Sequence, residues 1–306
     1  MLKTTFAVLA VFAVVCQTKT ASAQAADSIF SVSYEGSAFG LEKPESRDTK
    51  DSLGIQTLRF RAGKPIPLGP RTMFIPGIAY DMIDIPKSTS KELPYGRLHA
   101  PAVSLGIMQM LGSRVMVGAM VNVGLASDFE ERVSMDDLSL SASVVGMYRF
   151  SDSFQLGVGV SYFHQLRRVL PAPAIAMNWE ISDRFRIRGA LPSQLNVEYR
   201  AAPWLSLGIR GALDANAFHL SSRKYGEDNM QLSYMTVNVG PKATLNFSDN
   251  THLDLYASAT VLRRYEYFVD GDSKRDGLLP AVMTFGARLW FGSAGWRSDP
   301  WAPVTK

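Results

Sequence analysis

Residues 103–124, VSLGIMQMLGSRVMVGAMVNVG, carry a single charged side chain and are long enough to cross a membrane as one helix. That helix would bury Arg114 near the middle of the bilayer, where a charge costs about 2.5 kcal/mol or more. Two strands explain the pattern better, because the apolar odd positions fall on one face of an antiparallel hairpin if Leu111 pairs with Val115. The stretch therefore predicts a hairpin that turns at residues 112–114 and presents this apolar face to lipid.

The same alternation of apolar and polar residues recurs along the rest of the chain. Short turns separate pairs of alternating segments at residues 112–114, 151–153, 182–184, 201–203 and 248–250. Longer polar segments join one pair to the next at residues 40–52, 84–98, 126–137, 165–172, 219–230 and 268–279. Short turns that alternate with long loops are typical of transmembrane barrels, in which the turns face the periplasm. We therefore predict an all-β fold, a transmembrane antiparallel up-and-down β-barrel of about 12–14 strands.

Aromatic residues cluster near both ends of the predicted strands. One group lies beside the short turns: Tyr148, Phe150, Phe154, Trp179, Phe185, Tyr199, Trp204 and Phe247. A second group lies toward the long loops: Tyr80, Tyr162, Phe218, Tyr265 and Tyr267. Amphipathic rings are favoured at the two membrane surfaces, so this placement predicts two aromatic girdles that face lipid.

The first residues have the three parts of a secretory signal peptide. They are a positive start at Lys3, an apolar segment at residues 6–15 and a small-residue cleavage site at residues 21–23. We therefore expect residues 1–23 to be removed on export to the outer membrane of a Gram-negative bacterium. Cys16 is the only cysteine, so the mature chain would hold no disulfide.

The predicted mature chain has two parts, an outer-membrane barrel at residues 24–291 and a periplasmic C-terminal tail at residues 292–306. Loss of Lys3 and Lys19 reduces the 32 basic residues to 30, against 28 acidic ones. This near balance of positive and negative charge indicates no nucleic-acid partner. The expected surroundings are the lipid bilayer.

The last predicted strand, TFGARLWF at residues 284–291, resembles the signal by which the outer-membrane barrel assembly machinery recognises its substrates. The match lies in Gly286, Leu289 and the aromatic end Phe291. Because it falls on the final predicted strand, the match implies that machinery as a partner. The usual signal ends the chain, whereas residues 292–306 follow it in this sequence.

Two segments carry a family resemblance: GALPSQLNVEYRAAPWLSLGIRGAL at residues 189–213 and LPAVMTFGARLWF at residues 279–291. Together they resemble an uncharacterised bacterial family of outer-membrane β-barrels known only as a domain of unknown function. The likeness is one of pattern over the C-terminal half and includes no catalytic motif. It therefore implies a location and a fold, and no activity.

Several predicted strands place charged or polar residues on the face away from lipid, which in a barrel points into the lumen. An approximate register puts Glu198 between Arg186 and Ser206 on the neighbouring strands. Two interpretations follow: an anion-preferring pore lined by arginine, or a lumen filled by side chains that form ion pairs. The lumen and selectivity candidates are Arg186, Arg188, Glu198, Arg200, Arg210, Asp254, Tyr256 and Arg288.

An enzymatic function would depend on the histidines near the long loops. His99, His164 and His219 fall on that side, and Asp214 precedes His219. Nothing in the sequence fixes their spacing, and it contains neither a nucleophile elbow nor a pair of histidines spaced as metal ligands. Histidines in solvated loops are the simpler interpretation.

The expected function is therefore non-enzymatic: a passive channel or a small-solute transport barrel without cofactor or metal. Two alternatives remain, an anchor or adhesion protein that acts through its extracellular loops and an outer-membrane hydrolase that uses the rim histidines. The acidic segments 128–131 and 270–272 could bind calcium weakly, although solvated loops often have this composition.

Overall fold

A computed structural model of the chain describes residues 28–40, 54–86, 96–165, 168–225, 229–270 and 272–292. The predicted signal peptide and the predicted tail beyond Gly292 lie outside these residues. Almost all of the described chain is β-strand, with one turn of 3-10 helix at Met135–Asp137 and one turn of α-helix at Ser222–Tyr225. No helix in this part of the chain is long and apolar enough to cross a membrane.

The strands follow one another up and down along the chain. Their bounds are β1 Ser28–Gly40, β2 Gln56–Gly63, β3 Ile66–Gly69, β4 Thr72–Ile85, β5 Gly96–Met110, β6 Val115–Leu125, β7 Leu138–Arg149, β8 Phe154–Gln165, β9 Arg168–Ser182, β10 Phe185–Leu191, β11 Gln194–Ala202, β12 Leu205–Leu220, β13 Met230–Ser248, β14 Thr251–Val269, β15 Asp272–Leu278 and β16 Val282–Gly292.

The sheet closes into a barrel because its first strand pairs with its last. β1 pairs with β16, β16 with β14 and β14 with β13, all antiparallel. The remaining neighbours are antiparallel strands in chain order, except that the short β3 and β15 extend only the edges of β4 and β14. The wall therefore has 14 strands, which confirms the predicted fold and the upper limit of the predicted count.

The hairpin predicted at residues 103–124 is formed by β5 and β6. Leu111 donates its backbone N–H to the carbonyl of Val115 at 2.8 Å, and Ile107 lies opposite Ala119. Ile107 is 47% exposed on the outer surface of the barrel, as the period-two pattern requires. The predicted register is confirmed. Arg114 lies in the turn, at the ends of the two strands and not in the middle of the bilayer.

The inner face of the same hairpin carries methionines that pack against one another. Met108 and Met116 are buried with Ile75 of β4, and three further methionines surround them. Met120 lies closer to the long loops and reaches the cavity described below. Unbranched thioether side chains fill irregular gaps well, so the packed methionines narrow the lumen along this wall.

The aromatic girdle predicted beside the short turns is present on the outer surface. Phe150 packs between Tyr148 and Phe154, and the ring of Phe154 contacts Trp179. The exposed rings of this girdle are Tyr148, Phe150, Trp179, Tyr199, Trp204 and Phe247. We call this end of the barrel the turn end and the opposite end the loop end.

The prediction of a lipid-facing girdle at the loop end is wrong for three of its five residues. Phe218, Tyr265 and Tyr267 are 1%, 2% and 7% exposed, and all three point into the barrel. Phe218 shares the inward side of β12 with Ser206 and Arg210, because strand positions an even number apart face the same way.

The two tyrosines turn inward because β14 contains a β-bulge. The register between β13 and β14 shifts between Val237 and Asn238, and the extra residue on β14 is Val261, which is exposed outside. Thr260 before the bulge and Arg263 after it are both buried. The inward side therefore changes from even-numbered to odd-numbered residues at this point.

The inward rings belong to an apolar cluster that fills the lumen at the loop end, which we call the mouth cluster. Its buried members are Ile55, Ile83, Ile85, Leu98, Ala126, Phe218, Leu220, Leu232, Tyr234, Tyr265 and Tyr267. A packed apolar cluster of this kind excludes water. The loop end of the lumen is therefore closed.

The connection between β6 and β7 crosses the barrel over this cluster. The backbone of Ser127 bonds to that of His99 on β5 at 2.8 and 3.0 Å, and Ala126 accepts the backbone N–H of His219 on β12 at 2.9 Å. The carboxylate of Asp137 lies 2.8 Å from the His219 ring. Since β5 and β12 stand half the circumference apart in the strand order, this loop ties opposite walls together.

Some connections differ from the predicted lengths. β8 ends at Gln165 and β9 begins at Arg168, so residues 165–172 are mostly strand and the connection is short. Residues 268–279, predicted as a loop, contain β15. Both segments lack clean alternation, which is why the sequence pattern missed the strands.

Candidate functional site

The lumen contains a cavity of about 260 Å³ below the mouth cluster. An apolar cavity of about 150 Å³ is large enough to bind benzene. Small residues such as Ala102, Ser104 and Gly124 line one side. The charged residues that line it are Arg59, Arg61, Asp81, Arg210, Asp214, Lys242, Asp254 and Arg288, five of them basic and three acidic.

Two of the basic residues are held by carboxylates. Arg59 forms a salt bridge with Asp214 at 3.0 Å and lies 3.9 Å from Glu35. Arg61 bonds to the buried Asp81 at 2.5 Å. The sequence interpretation missed both arginines, although residues 57–61 alternate Thr, Leu, Arg, Phe, Arg and so carry the same period-two signal as the longer strands.

Glu198 is the centre of a buried ion-pair network beside the cavity. It lies opposite Arg186 and bonds to that guanidinium at 2.6 Å, as the sequence predicted. On its other side it lies opposite Gly208, and Ser206 lies opposite Arg200, so the predicted Ser206 neighbour is wrong by two residues. The second partner of Glu198 is Lys242 at 2.5 Å, which the sequence interpretation missed.

Arg210 and Arg288 differ from the other cavity cations because no salt bridge reaches them within the described residues. The guanidinium of Arg210 lies over the Tyr256 ring, 4.6 Å from its centre, and that of Arg288 lies 5.9 Å from the Trp290 ring. The Nη1 atom of Arg210 is buried without a hydrogen-bond partner in the described chain. A buried donor left unpaired is costly, so this N–H group is available to donate a hydrogen bond to an anionic ligand.

The predicted lumen residues thus fall into three groups. Arg210, Asp254, Tyr256 and Arg288 line the cavity. Arg186 and Glu198 form the buried pair. Arg188 lies opposite Asn196 and Arg200 opposite Ser206, and neither arginine is part of the cavity lining.

The predicted assembly signal lies on β16, the strand that closes the barrel. Leu289 and Phe291 face outward, as lipid contacts require. Gly286 lies opposite Tyr256, and a Cβ atom on this glycine would overlap the tyrosine ring. The glycine therefore lets the ring that supports Arg210 lie flat across the neighbouring strand, whatever else it contributes to assembly.

Substitution Gly286→Val should displace Tyr256 and lower the free energy of unfolding by about 1–3 kcal/mol, the usual cost of overpacking. Denaturant titration of the folded barrel measures the loss. The neighbouring Ala287→Val, whose side chain points outward, is the control and should fold like the wild type. Equal stability of the two variants would contradict this role for the glycine.

The rim histidines are not brought together with a nucleophile. His99 lies 2.7 Å from the hydroxyl of Tyr80, and His219 is paired with Asp137, whereas Asp214 pairs with Arg59 in the lumen. In the described chain neither histidine hydrogen-bonds a serine, threonine or cysteine side chain. The side chain of the third histidine, His164, lies outside the described residues.

The acidic segments hold loops together. Asp128 accepts hydrogen bonds from the N–H and the hydroxyl of Ser221, Glu131 accepts one from Ser222, and Asp270 accepts one from an asparagine amide. Within the described residues no group of three or more His, Cys, Asp or Glu could hold a metal ion.

Comparison with known proteins gives a fold likeness and a family. Similar solved structures include the toluene transporter TodX of Pseudomonas putida, 9% identical with a TM-score of 0.45 over 90% of this chain and 93% of that one. The KdgM porin is 9% identical with a TM-score of 0.34 over 84% and 97% of the two chains. LpxR from Salmonella typhimurium is 8% identical with a TM-score of 0.37 over 86% and 99%.

No curated protein sequence matches this chain. One family model does match, over residues 77–271; it confirms the resemblance to a domain of unknown function and includes the first of the two quoted segments. The chain belongs to the family described as Domain of unknown function (DUF6268).

Proposed function

We propose that this chain is an outer-membrane barrel that binds a small organic anion in its lumen and carries it passively across the membrane. The observation that supports the proposal most is the unpaired Nη1 atom of Arg210, which is buried at a cavity whose lining has more basic than acidic residues. The apolar outer surface and the closure of the sheet through β1 and β16 fit a bilayer, because a sheet that crosses a membrane must join its first and last strands. The role requires no catalysis.

A specific site fits the lumen better than a wide aqueous channel. The mouth cluster fills the loop end, and the methionines around Met108 narrow one wall toward the turn end. Ion pairs between Glu198 and its two basic partners occupy further space. Of the two lumen interpretations, the ion pairs of Glu198 support filling of one part of the lumen, and the mainly basic cavity lining supports anion preference in the other.

The chemistry of the cavity indicates the class of solute. A planar carboxylate or sulfonate can accept paired hydrogen bonds from a guanidinium, which suits Arg210 and Arg288. The Tyr256 ring, Met120 and the small residues opposite offer an apolar surface to the rest of the molecule. The proposed solute is therefore a small amphiphilic anion, with one acidic head and an aromatic or short aliphatic body.

Uptake of radiolabelled benzenesulfonate into proteoliposomes tests the proposal. This probe stays ionised and so does not cross lipid unaided. We expect saturable uptake by the wild type, and a loss of about tenfold or more when Arg210 and Arg288 are both replaced by methionine, because charged hydrogen bonds contribute about 1.5–3 kcal/mol each. Uncharged benzenesulfonamide should not compete.

Arg200→Gln is the matched control, since it removes a lumen arginine that does not line the cavity. Its uptake should equal that of the wild type. Folding of every variant is checked by heat-modifiable migration on gels. Uptake by the folded wild type no faster than by empty liposomes would overturn the proposed function.

A further inference from the structure

The barrel wall is formed by unusually short strands at one place, the hairpin of β10 and β11. These strands have 7 and 9 residues, whereas the flanking β9 and β12 have 15 and 16. The last pairs formed by the hairpin join Leu191 to Ile175 and Gln194 to Ala212. Beyond them no described strand pairs with this edge of β9 or of β12, which leaves a gap in the wall.

The tip of this hairpin lies deep in the membrane. Tyr199 on β11 belongs to the girdle at the turn end, and the tip is reached at Gln194. At about 3.3 Å per residue and a tilt of roughly 40°, this distance along β11 rises about 13 Å, half of an apolar band about 25 Å tall. Leu191 at the tip is 42% exposed, as a lipid contact would be. The gap therefore faces the loop-end half of the bilayer.

The edge of β9 that borders the gap carries prolines at the positions where a neighbouring strand would otherwise accept its N–H groups. Glu180 donates its backbone N–H to Ser153 on the β8 side, so odd-numbered residues of β9 direct their backbone groups toward β10. Beyond the hairpin these positions are occupied by Pro171 and Pro173. Proline has no N–H group, so neither residue leaves a donor unpaired in lipid.

The opposite border is the edge of β12. Leu213 donates its N–H to the carbonyl of Ser193 at the hairpin tip, and His219 donates its N–H to Ala126 in the loop that crosses the mouth. Between these two bonds the same edge passes Ala215 and Ala217, which have the smallest side chains after glycine. The gap is therefore framed by the hairpin tip, two prolines, the crossing loop and two alanines.

The lumen cavity reaches this frame. Ser193, Leu213, Ala215 and Ala217 line the same cavity as Arg210. Since the mouth cluster closes the direct route at the loop end, the gap is the way from the cavity to the surroundings on that side. We propose that the wall opens sideways between β9 and β12, and that the amphiphilic anion of the proposed function, on which this route depends, exchanges with the loop-end half of the bilayer through this opening.

Two measurements test the opening and the route separately. The mature chain as predicted has no cysteine, so a single Ser193→Cys can carry a bimane fluorophore at the cavity side of the hairpin tip. With an opening, lipids that bear a nitroxide on the acyl chain should quench this fluorophore at least about half as strongly as one at Val103→Cys, which faces lipid. A fluorophore at Ser104→Cys, on the cavity side of a continuous wall, should be quenched little.

The second measurement closes the gap. A variant with four residues inserted at the hairpin tip, together with Pro171→Thr and Pro173→Thr, lets β10 and β11 continue pairing with their neighbours. We expect its benzenesulfonate uptake to fall at least about fivefold, while the same insertion in the turn between β7 and β8 leaves uptake unchanged. Both variants must show the heat-modifiable migration of a folded barrel.

The outcomes are distinguishable. Weak quenching at Ser193→Cys, equal to that at Ser104→Cys, would overturn the opening, whatever the transport result. Strong quenching with undiminished uptake in the closed variant would overturn the route and leave the solute site intact. Strong quenching with uptake lost only in the closed variant supports both. The quenching result does not depend on transport, so it stands even if the wild type proves inactive.

Discussion

Replacing Glu198 with alanine should lower the free energy of unfolding by about 3–5 kcal/mol, the usual cost of removing one partner from a buried ion pair. Arg186 and Lys242 both bond to this carboxylate, and Glu198 is 4% exposed. Without it, both cations would lose a close counter-ion at a buried position. Guanidinium titration of the folded barrel, followed by tryptophan fluorescence, measures the change.

A surface ion pair provides the comparison. Arg149 and Asp152 lie 2.8 Å apart beside a short turn, with the Asp152 side chain 95% exposed. Asp152→Ala should cost less than about 1 kcal/mol, because water screens exposed pairs. A Glu198→Ala loss no larger than that of Asp152→Ala would show that the buried network does not hold the barrel together.

Substitution Phe218→Ala should both destabilise the barrel and open it. A phenylalanine in a packed core costs about 3–5 kcal/mol when truncated to alanine, and Phe218 is 1% exposed within the mouth cluster. The missing ring leaves space where the lumen is now closed. Bilayer recordings of the wild type should show little current, and the variant should show discrete conductance steps.

The outward-facing Phe247→Ala is the control for this experiment, since its ring is 64% exposed at the turn end. It should lose little stability and remain as silent as the wild type in a bilayer. If Phe218→Ala were also silent, or if the wild type already conducted freely, the mouth cluster would not be the closure.

Alternation alone was enough to predict the wall of the barrel. The register of Leu111 with Val115 follows from period two and a tight turn, both local properties of the sequence. The pair formed by Arg186 and Glu198 could be predicted for the same reason, because each residue lies on the inward side of a regular strand. These features involve neighbouring strands joined by short connections.

The errors arise where the chain departs from regular alternation or closes over long distances. The bulge at Val261 reverses the inward side of β14, and no residue type marks it. Lys242 lies opposite Gly208 on β12, and Gly208 lies opposite Glu198 on β11, so this ion pair spans an intervening strand and was missed when only adjacent strands were matched. The loop that ties β5 to β12 depends on closure of the whole barrel, which a local pattern does not contain.

In the proposed function, Arg210 and Arg288 bind an organic anion in the lumen. Crystals of the barrel soaked in 4-bromobenzenesulfonate would reveal such binding, because bromine can be located by its anomalous scattering. We expect a bromine peak inside the lumen cavity, with the sulfonate within hydrogen-bond distance of Arg210 Nη1, and no such peak in the variant with both arginines replaced by methionine. A wild-type lumen without a bromine peak, or a peak that survives loss of both arginines, would contradict it.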